Sequence, residues 1–434
     1  MRPLSVAFII GLFAGSVVAS ELSLTSLYIL LIALFLAGIF LQREGLRTLV
    51  FLFAFFVVGV VRMAIADAPL HLDGLVAFFE PLRRELSEGF VRFGISGDEN
   101  AVVNAMALGD KTGISHHLRT VYSQTGASYV LALSGMHLAI IYCILSWLVM
   151  RTMLWVHAIP DVLWEILPVE RNTRLRDFVK LLFRIQLSER LIRNMATFVI
   201  LLVIWFYVIL VGMSPSVVRS AIMLSVYGVA RMLFRKTDVI TVLALTAFLT
   251  LMISPLSLFD VGFQMSYLAV LGIGVYMPRF VLFVYKEDYK WSEESTTSTL
   301  RNFLIWAYKC LALSLSAQIM VMPLVAYYFH SIPCYGLLSS LVVSVTAMLI
   351  VGLSFVFLIS LFMPFMLLSE ALAYMLSAVT RFQNVFLEHI AALPFSVITD
   401  IEINIWQLLI IYLIIFCVSR IAFILLRTSC HSGY

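Results

Sequence analysis

The chain has 434 residues, 62% hydrophobic and only 12% charged, with a formal net charge of +4. Soluble domains run nearer half apolar and a quarter charged, so this composition excludes one. The charge of +4, spread over the whole length, is no nucleic-acid fingerprint, and the five cysteines include no C-x-x-C pair, which argues against a disulfide framework or a metal site.

Repeated apolar runs long enough to cross a bilayer predict an all-α fold, a polytopic integral membrane helical bundle of about twelve transmembrane helices. In chain order the runs cover 3–20, 24–41, 48–66, 127–150, 195–213, 215–233, 239–254, 258–277, 303–328, 336–362, 363–380 and 404–426, with the break at Pro364 the weakest boundary. Residues 1–20 carry Arg2, an apolar stretch and a small-residue end, Val17-Val18-Ala19-Ser20, as a cleaved signal does. Two more apolar runs follow at once, which favours an uncleaved first span.

Lys and Arg in short loops set the sidedness. Arg2, Arg43, Arg47, Arg231, Arg235, Lys236, Arg279, Lys286, Lys290, Arg301, Arg420 and Arg427 fall on one side of an alternating path, together with the basic loop 151–194. That side is the expected cytoplasm. The chain then divides into N-terminal transmembrane helices (1–66), an extracytoplasmic helical segment (67–126), a transmembrane core (127–380) and an outer segment with a last helix (381–434).

In the segment 67–126, Leu82, Leu86, Phe90 and Phe93 recur at helical spacing with Arg83, Arg84, Glu88 and Arg92 among the polar positions. This predicts an amphipathic helix on the outer membrane surface or against the bundle. A second helix is expected from Asp98 to Gly109, and a third from Ser115 to before Gly126.

Polar residues inside spans are the functional candidates. Ser134, Gly135 and His137 interrupt the apolar run LALSGMHLAIIY. Counted along an unbroken fourth span, His137 lies roughly 15 Å in, with Ser134 one turn before it on the same face. A packing glycine with a self-bonded serine and a neighbour-bonded histidine explains the same residues without a function. In SPSVVRSAIM, Ser214 and Pro215 open a helix and Arg219 sits about 7 Å below its start, where it either snorkels to headgroups or turns inward. Asp260, Gln264 and Tyr267 form an i, i+4, i+7 stripe on the eighth span, and Asp260 is at the depth of Arg219, so an ion pair is a reasonable expectation. Lys309 and Gln318 add polarity to the ninth span. Trp205, Phe206 and Tyr207 read as an interfacial belt or lipid-facing packing. Together these residues predict a polar cavity open to the outside. Walker motifs, paired catalytic carboxylates and H-E-x-x-H do not occur, so the sequence carries no signature of a pump or a membrane protease.

The order of these blocks resembles the ComEC-type competence proteins. Ala105-Met106-Ala107-Leu108-Gly109-Asp110, Thr125-Gly126 and Ala132-Leu133-Ser134-Gly135-Met136-His137 match the family's A-x-x-x-G-D, T-G and A-I-S-G-L-H. SPSVVRSAIM matches S-x-S-x-x-R-A-x-x-M, and SPLSLFDVGFQMSYLAVLGI matches the aspartate and G-F-Q-L-S pattern. The likeness runs over about residues 78–360. Tyr129 departs from a common histidine and Ser340 from a common asparagine. Longer members carry an OB-like domain and a metallo-β-lactamase-like domain, and neither is expected in this sequence, which reads as a short form.

The resemblance implies an inner-membrane channel that passes single-stranded DNA into the cytoplasm during natural transformation. It implies Ser134, Gly135, His137, Arg219, Asp260, Gln264 and Tyr267 as channel-lining or substrate-binding residues; with no H-x-H-x-D-H cluster or ATPase motif in the sequence, no cofactor, no metal and no catalytic residue is expected. Implied partners are single-stranded DNA, membrane lipid, a cytoplasmic motor ATPase, an extracytoplasmic DNA receptor and a separate nuclease. A secondary transporter for a small anionic or nucleotide-like solute, with Asp260 and His137 as proton carriers, and a scaffold for a competence machine are the other readings.

Overall fold

The computed structural model describes residues 2–18, 27, 29–34, 37, 44–65, 73–166, 189–235, 238–291, 299–362 and 366–431. Part of the predicted second span, residues 167–188 of the basic loop 151–194 and the break at Pro364 lie outside the described residues. The chain is an all-α polytopic membrane protein. Six described helices are long and apolar enough to cross a bilayer, and three shorter ones are apolar.

The first helix α1 (Arg2–Val18) crosses α2 (Glu44–Ala64) at very short range. A Cβ on Gly11 would stand 2.0 Å from the Phe56 carbonyl oxygen, so only glycine permits this crossing. Helix α3 (Asp73–Arg92) is the predicted amphipathic helix, and it lies against the bundle. Its Phe90 is fully buried and stacks on Phe357 at 5.1 Å. Then come α4 (Gly97–Ala107), α5 (His116–Gln124) and a 3₁₀ turn at Ser128–Val130. Helix α4 is buried over its whole second half, from Ala101 to Ala107, because it is wedged into the bundle and does not float on its surface.

The core continues with α6 (Gly135–Ile166), α7 (Glu189–Leu210), α8 (Pro215–Met232) and α9 (Val239–Ile253). A 3₁₀ turn at Pro255–Phe259 leads to α10 (Val261–Trp291), followed by α11 (Thr299–Phe329). Helix α12 (Gly336–Ser360), α13 (Met366–Ala391) and α14 (Ile405–His431) complete the fold. A two-residue antiparallel pairing of β1 (Ile332–Pro333) with β2 (Val397–Ile398) ties the turns before α12 and α14. Arg62 of α2 donates to the terminal carbonyls of Met252 and Ile253 at 2.7 and 2.8 Å, which caps α9.

Helices α6, α10 and α11, of 32, 31 and 31 residues, are longer than the runs read from hydropathy. A helix of that length rises more than about 45 Å, so each extends past the apolar layer. Helix α13 also outruns its predicted span by reaching Ala391, and its second half packs on α4 and α5. Arg381 donates to Glu99 at 2.7 Å there, beside the bond from Ser377 to the same carboxylate.

Candidate functional site

The run from Leu131 to Tyr142 is not one helix. After α5, Gly126 adopts φ +72°, a conformation that L side chains resist, and an added Cβ would meet Pro333 Cγ at 2.7 Å. The 3₁₀ turn and a short irregular stretch follow, and α6 begins only at Gly135. Ser134 is therefore the residue that caps α6, and His137 is the third residue of the helix. The Ser134 N–H donates to His137 Nδ1 at 2.9 Å, and Ser134 Oγ lies 2.9 Å from the same nitrogen. This is the return half of a capping box, with imidazole standing where glutamate or glutamine usually does.

Those contacts assign the tautomer. Nδ1 accepts from a backbone N–H, so the proton of the neutral ring is on Nε2. The ring is fully buried and Nε2 has no hydrogen-bond partner. A buried orphan of this kind costs about 1–3 kcal/mol. The expectation that His137 lies deep along an unbroken span is corrected: it stands in the first turn of a helix that starts inside the bundle. Hydropathy averages over such a break because the residues around it are apolar.

The start of α6 abuts α8. A Cβ on Gly135 would approach Ser220 Oγ to 2.8 Å. The residue before Ser220 is Arg219, only 4% exposed. Its Nη1 lies 3.3 Å from Asp260 Oδ2 and its Nη2 donates to Ser266 Oγ at 3.3 Å. The guanidinium stands 5.9 Å from the Phe263 ring centre, and Nε is buried without a partner. Asp260 has a second duty. Its Oδ2 accepts from the Phe263 N–H at 2.9 Å, so it caps α10. Its side chain is 50% exposed, against 5% for Arg219. The carboxylate thus lies on the open side of a buried cation. Gly262 keeps the space between them clear, since a Cβ there would sit 3.3 Å from both Arg219 Nη2 and Asp260 Oδ2.

The stripe read on α10 divides between three neighbours. Asp260 turns to α8. Gln264 accepts from the Tyr328 hydroxyl of α11 at 3.1 Å and donates to the Leu258 carbonyl at 3.1 Å. Tyr267 bonds Thr250 of α9 at 3.1 Å and is buried. Gln318 of α11 donates to Ser340 of α12 at 3.1 Å. The structure joins Ser134 to His137, and Arg219 to Asp260. Among the described residues, no side-chain hydrogen bond connects those two groups to each other or to Gln264, whose backbone N–H donates to the Asp260 carbonyl at 3.1 Å as an ordinary helical bond. Sequence reasoning missed Ser220, Phe263, Ser266 and Tyr328. The signal for Ser266 was available, because it is the serine of the G-F-Q-x-S block. Tyr207, read as interfacial or lipid-facing, turns inward and donates to the Ala107 carbonyl at 2.6 Å.

The chemistry available here is anion recognition. A planar guanidinium with an unengaged N–H lies behind a solvent-side carboxylate. No group of His, Cys, Asp and Glu able to hold a metal ion occurs among the described residues.

The family model described as "Competence protein" matches residues 106–423. The "ComE operon protein 3" of Bacillus subtilis (strain 168) is 23% identical over 233 residues, which cover 54% of this chain and 23% of that protein. The match thus spans about a quarter of that relative's length. No solved structure matches.

Proposed function

The chain belongs to the competence protein family, and from that premise we propose that it is an inner-membrane channel passing single-stranded DNA into the cytoplasm during natural transformation. The observation that carries the reading is the Arg219–Asp260 pair. Its cation is buried, its carboxylate is half exposed, and its contact of 3.3 Å is long for a charge-assisted bond. A phosphate arriving from the open side competes with Asp260 for Arg219. The strand then meets one buried charge and no strongly basic lining, so it binds without being trapped. Ser134, Gly135, His137, Gln264 and Tyr267 belong to the polar layers that such a strand would part. The pulling force comes from a cytoplasmic motor ATPase, and an outer DNA receptor and a separate nuclease prepare the strand.

The test compares the wild type with R219A and R219K for delivery of labelled DNA into the cytoplasm, normalised to the amount of inserted protein. Loss of the charge-assisted contact predicts a fall of roughly a hundredfold for R219A, and a partial loss for R219K, whose point charge lacks the planar fork. Unchanged delivery at normal abundance rejects the reading. Proton-coupled flux of a small anion in liposomes, with no response to DNA, replaces it with a solute transporter.

A further inference from the structure

At the end of the bundle where the short-loop arginines gather, the first turns of α7 and the last turn of α8 line an open cavity of about 270 Å³. It is lined by Arg193, Asn194, Thr197, Arg231, Phe234 and Arg235. The arginines alone would read as ordinary positive-inside residues near a helix C-terminus. Three observations go beyond that.

The first is how the cavity is built. Helix α8 ends in a Schellman-type turn, with Arg235 N–H donating to the Ala230 carbonyl at 3.0 Å and Phe234 N–H to the Arg231 carbonyl at 3.1 Å. The left-handed position of that turn, normally glycine, is Phe234 at φ +55°. A bulky residue there is strained, and the fold holds it in place. The chain is thereby turned so that Arg235 lines the same cavity as Arg231. On the inner side α7 and α8 close up at Gly228, where a Cβ would lie 3.1 Å from Leu201 and 3.3 Å from Thr197.

The second is charge. The lining holds Arg193, Arg231 and Arg235 and no carboxylate. Among the described residues none of the three makes an ion pair, and Arg231 has the Tyr142 hydroxyl as a neutral neighbour. The third is the rim. Met195, Phe198 and Leu233, next in the chain to lining residues on α7 and at the end of α8, are exposed by 49%, 55% and 67%. Phe198 could also stack on a base, but the aliphatic Met195 and Leu233 offer a nucleic-acid strand nothing. A lipid has both a phosphate and chains to cover them.

We infer that this cavity binds the phosphate headgroup of an anionic phospholipid from the surrounding leaflet, with Arg193, Arg231 and Arg235 on the phosphate and the acyl chains along Phe198 and Leu233. Guanidinium forks match phosphate oxygens, and Asn194 offers a further polar contact at the cavity wall. The lipid would fix the α7–α8 end of the bundle independently of what crosses the bundle's centre.

The experiment uses the purified full chain in phosphatidylcholine nanodiscs. Phosphatidylglycerol is titrated in and retained lipid is counted by native mass spectrometry. The wild type is expected to retain phosphatidylglycerol in preference to phosphatidylcholine, and to lose that preference in about 0.5 M salt. R231Q and R235Q should each weaken retention roughly fivefold, the effect of one basic residue at the surface. R92Q, an exposed arginine on α3, should leave it unchanged. Equal retention of the two lipids by the wild type overturns the inference. So does a ten-residue thymidylate that displaces phosphatidylglycerol and binds through the same arginines, which would make the cavity a strand site. Should the variants fail to fold, the lipid preference of the wild type and its salt dependence still decide.

Discussion

Two polar clusters lie buried in this bundle, and they differ in how completely their hydrogen bonds are met. The first joins α5, α12 and α13. Thr346 donates to Gln383 Oε1, Gln383 Nε2 donates to the Tyr122 hydroxyl at 2.9 Å, and that hydroxyl donates to Asn384 Oδ1 at 2.8 Å. Each group donates a hydrogen bond to the next, so the chain is mutually reinforcing. Burial pushes the Tyr122 phenol above its ordinary range and keeps it neutral as a donor. The second cluster, around Ser134–His137 and Arg219–Asp260, leaves His137 Nε2 and Arg219 Nε buried with nothing to bond. Satisfied networks specify a fold. Unsatisfied buried polar groups cost stability and are few in folded proteins, so each calls for a physical reason. On the channel reading proposed above, the difference separates the part of the interior that holds the bundle together from the part that meets the strand.

The largest effect should fall on the satisfied cluster. Q383L removes a donor to Tyr122 and an acceptor for Thr346 at once. It should destabilise the protein by about 2 kcal/mol. Thermal unfolding in detergent and the abundance of inserted protein should both drop, while DNA delivered per inserted molecule stays the same. A tenfold fall in delivery per molecule with unaltered unfolding would break the distinction, because the network would then be acting on the cargo.

Much of this architecture is legible in the sequence, and the failures have physical causes. The pairing of Arg219 with Asp260 follows from span counting, because two hairpins of known direction put both residues at one depth. The amphipathic character of α3 follows from Leu82, Leu86 and Phe90 at helical spacing. The break before α6 does not show in hydropathy, although Ser134 and His137 have the spacing of a capping box and Gly126 marks the turn before it. Tyr122 and Asn384 lie 262 positions apart, so no local pattern reports their bond. The stripe on α10 was read as one face, but a helix packed on three sides gives each residue of a stripe a different partner. The arginines near the α8 terminus were readable as positive-inside residues, and only their convergence on one cavity adds meaning.

An intermediate effect is expected at His137, where structural and functional roles share one ring. H137A loses the acceptor at the start of α6, and the uncapped Ser134 N–H should cost about 1 kcal/mol. H137Q places an amide oxygen at the position where capping boxes use glutamine, so it should recover wild-type unfolding. It lacks the ring nitrogen at the site of the orphan donor. If the orphan serves the strand, H137Q should still deliver DNA roughly tenfold less well than the wild type at equal abundance, the worth of about one hydrogen bond. Full recovery of delivery by H137Q would move His137 into the structural class with Tyr122 and sharpen the boundary between the clusters.

The smallest effect belongs to Asp110, the acidic end of the A-x-x-x-G-D block. It lies outside both clusters, in the turn between α4 and α5. Its Oδ1 accepts from the Thr112 N–H at 2.9 Å and from the Thr112 hydroxyl at 2.8 Å. Partial burial pulls its pKa up, but the Thr112 bonds and the charge of Arg83 outweigh that and hold it below its ordinary 3.8. A carboxyl with a depressed pKa adds stability that is complete above its unfolded value and is lost as the pH falls through the folded one. The window therefore lies below about pH 4, and solvent screening keeps the contribution under roughly 1 kcal/mol. D110N should remove this acid-sensitive increment from the unfolding curve and leave DNA delivery at neutral pH unchanged. Its place in a family block would then reflect a turn that must form, as in the satisfied cluster, and not a group that meets the strand. A large loss of delivery in D110N at normal stability would extend the ligand-facing region outward from Asp260 to the loop between α4 and α5.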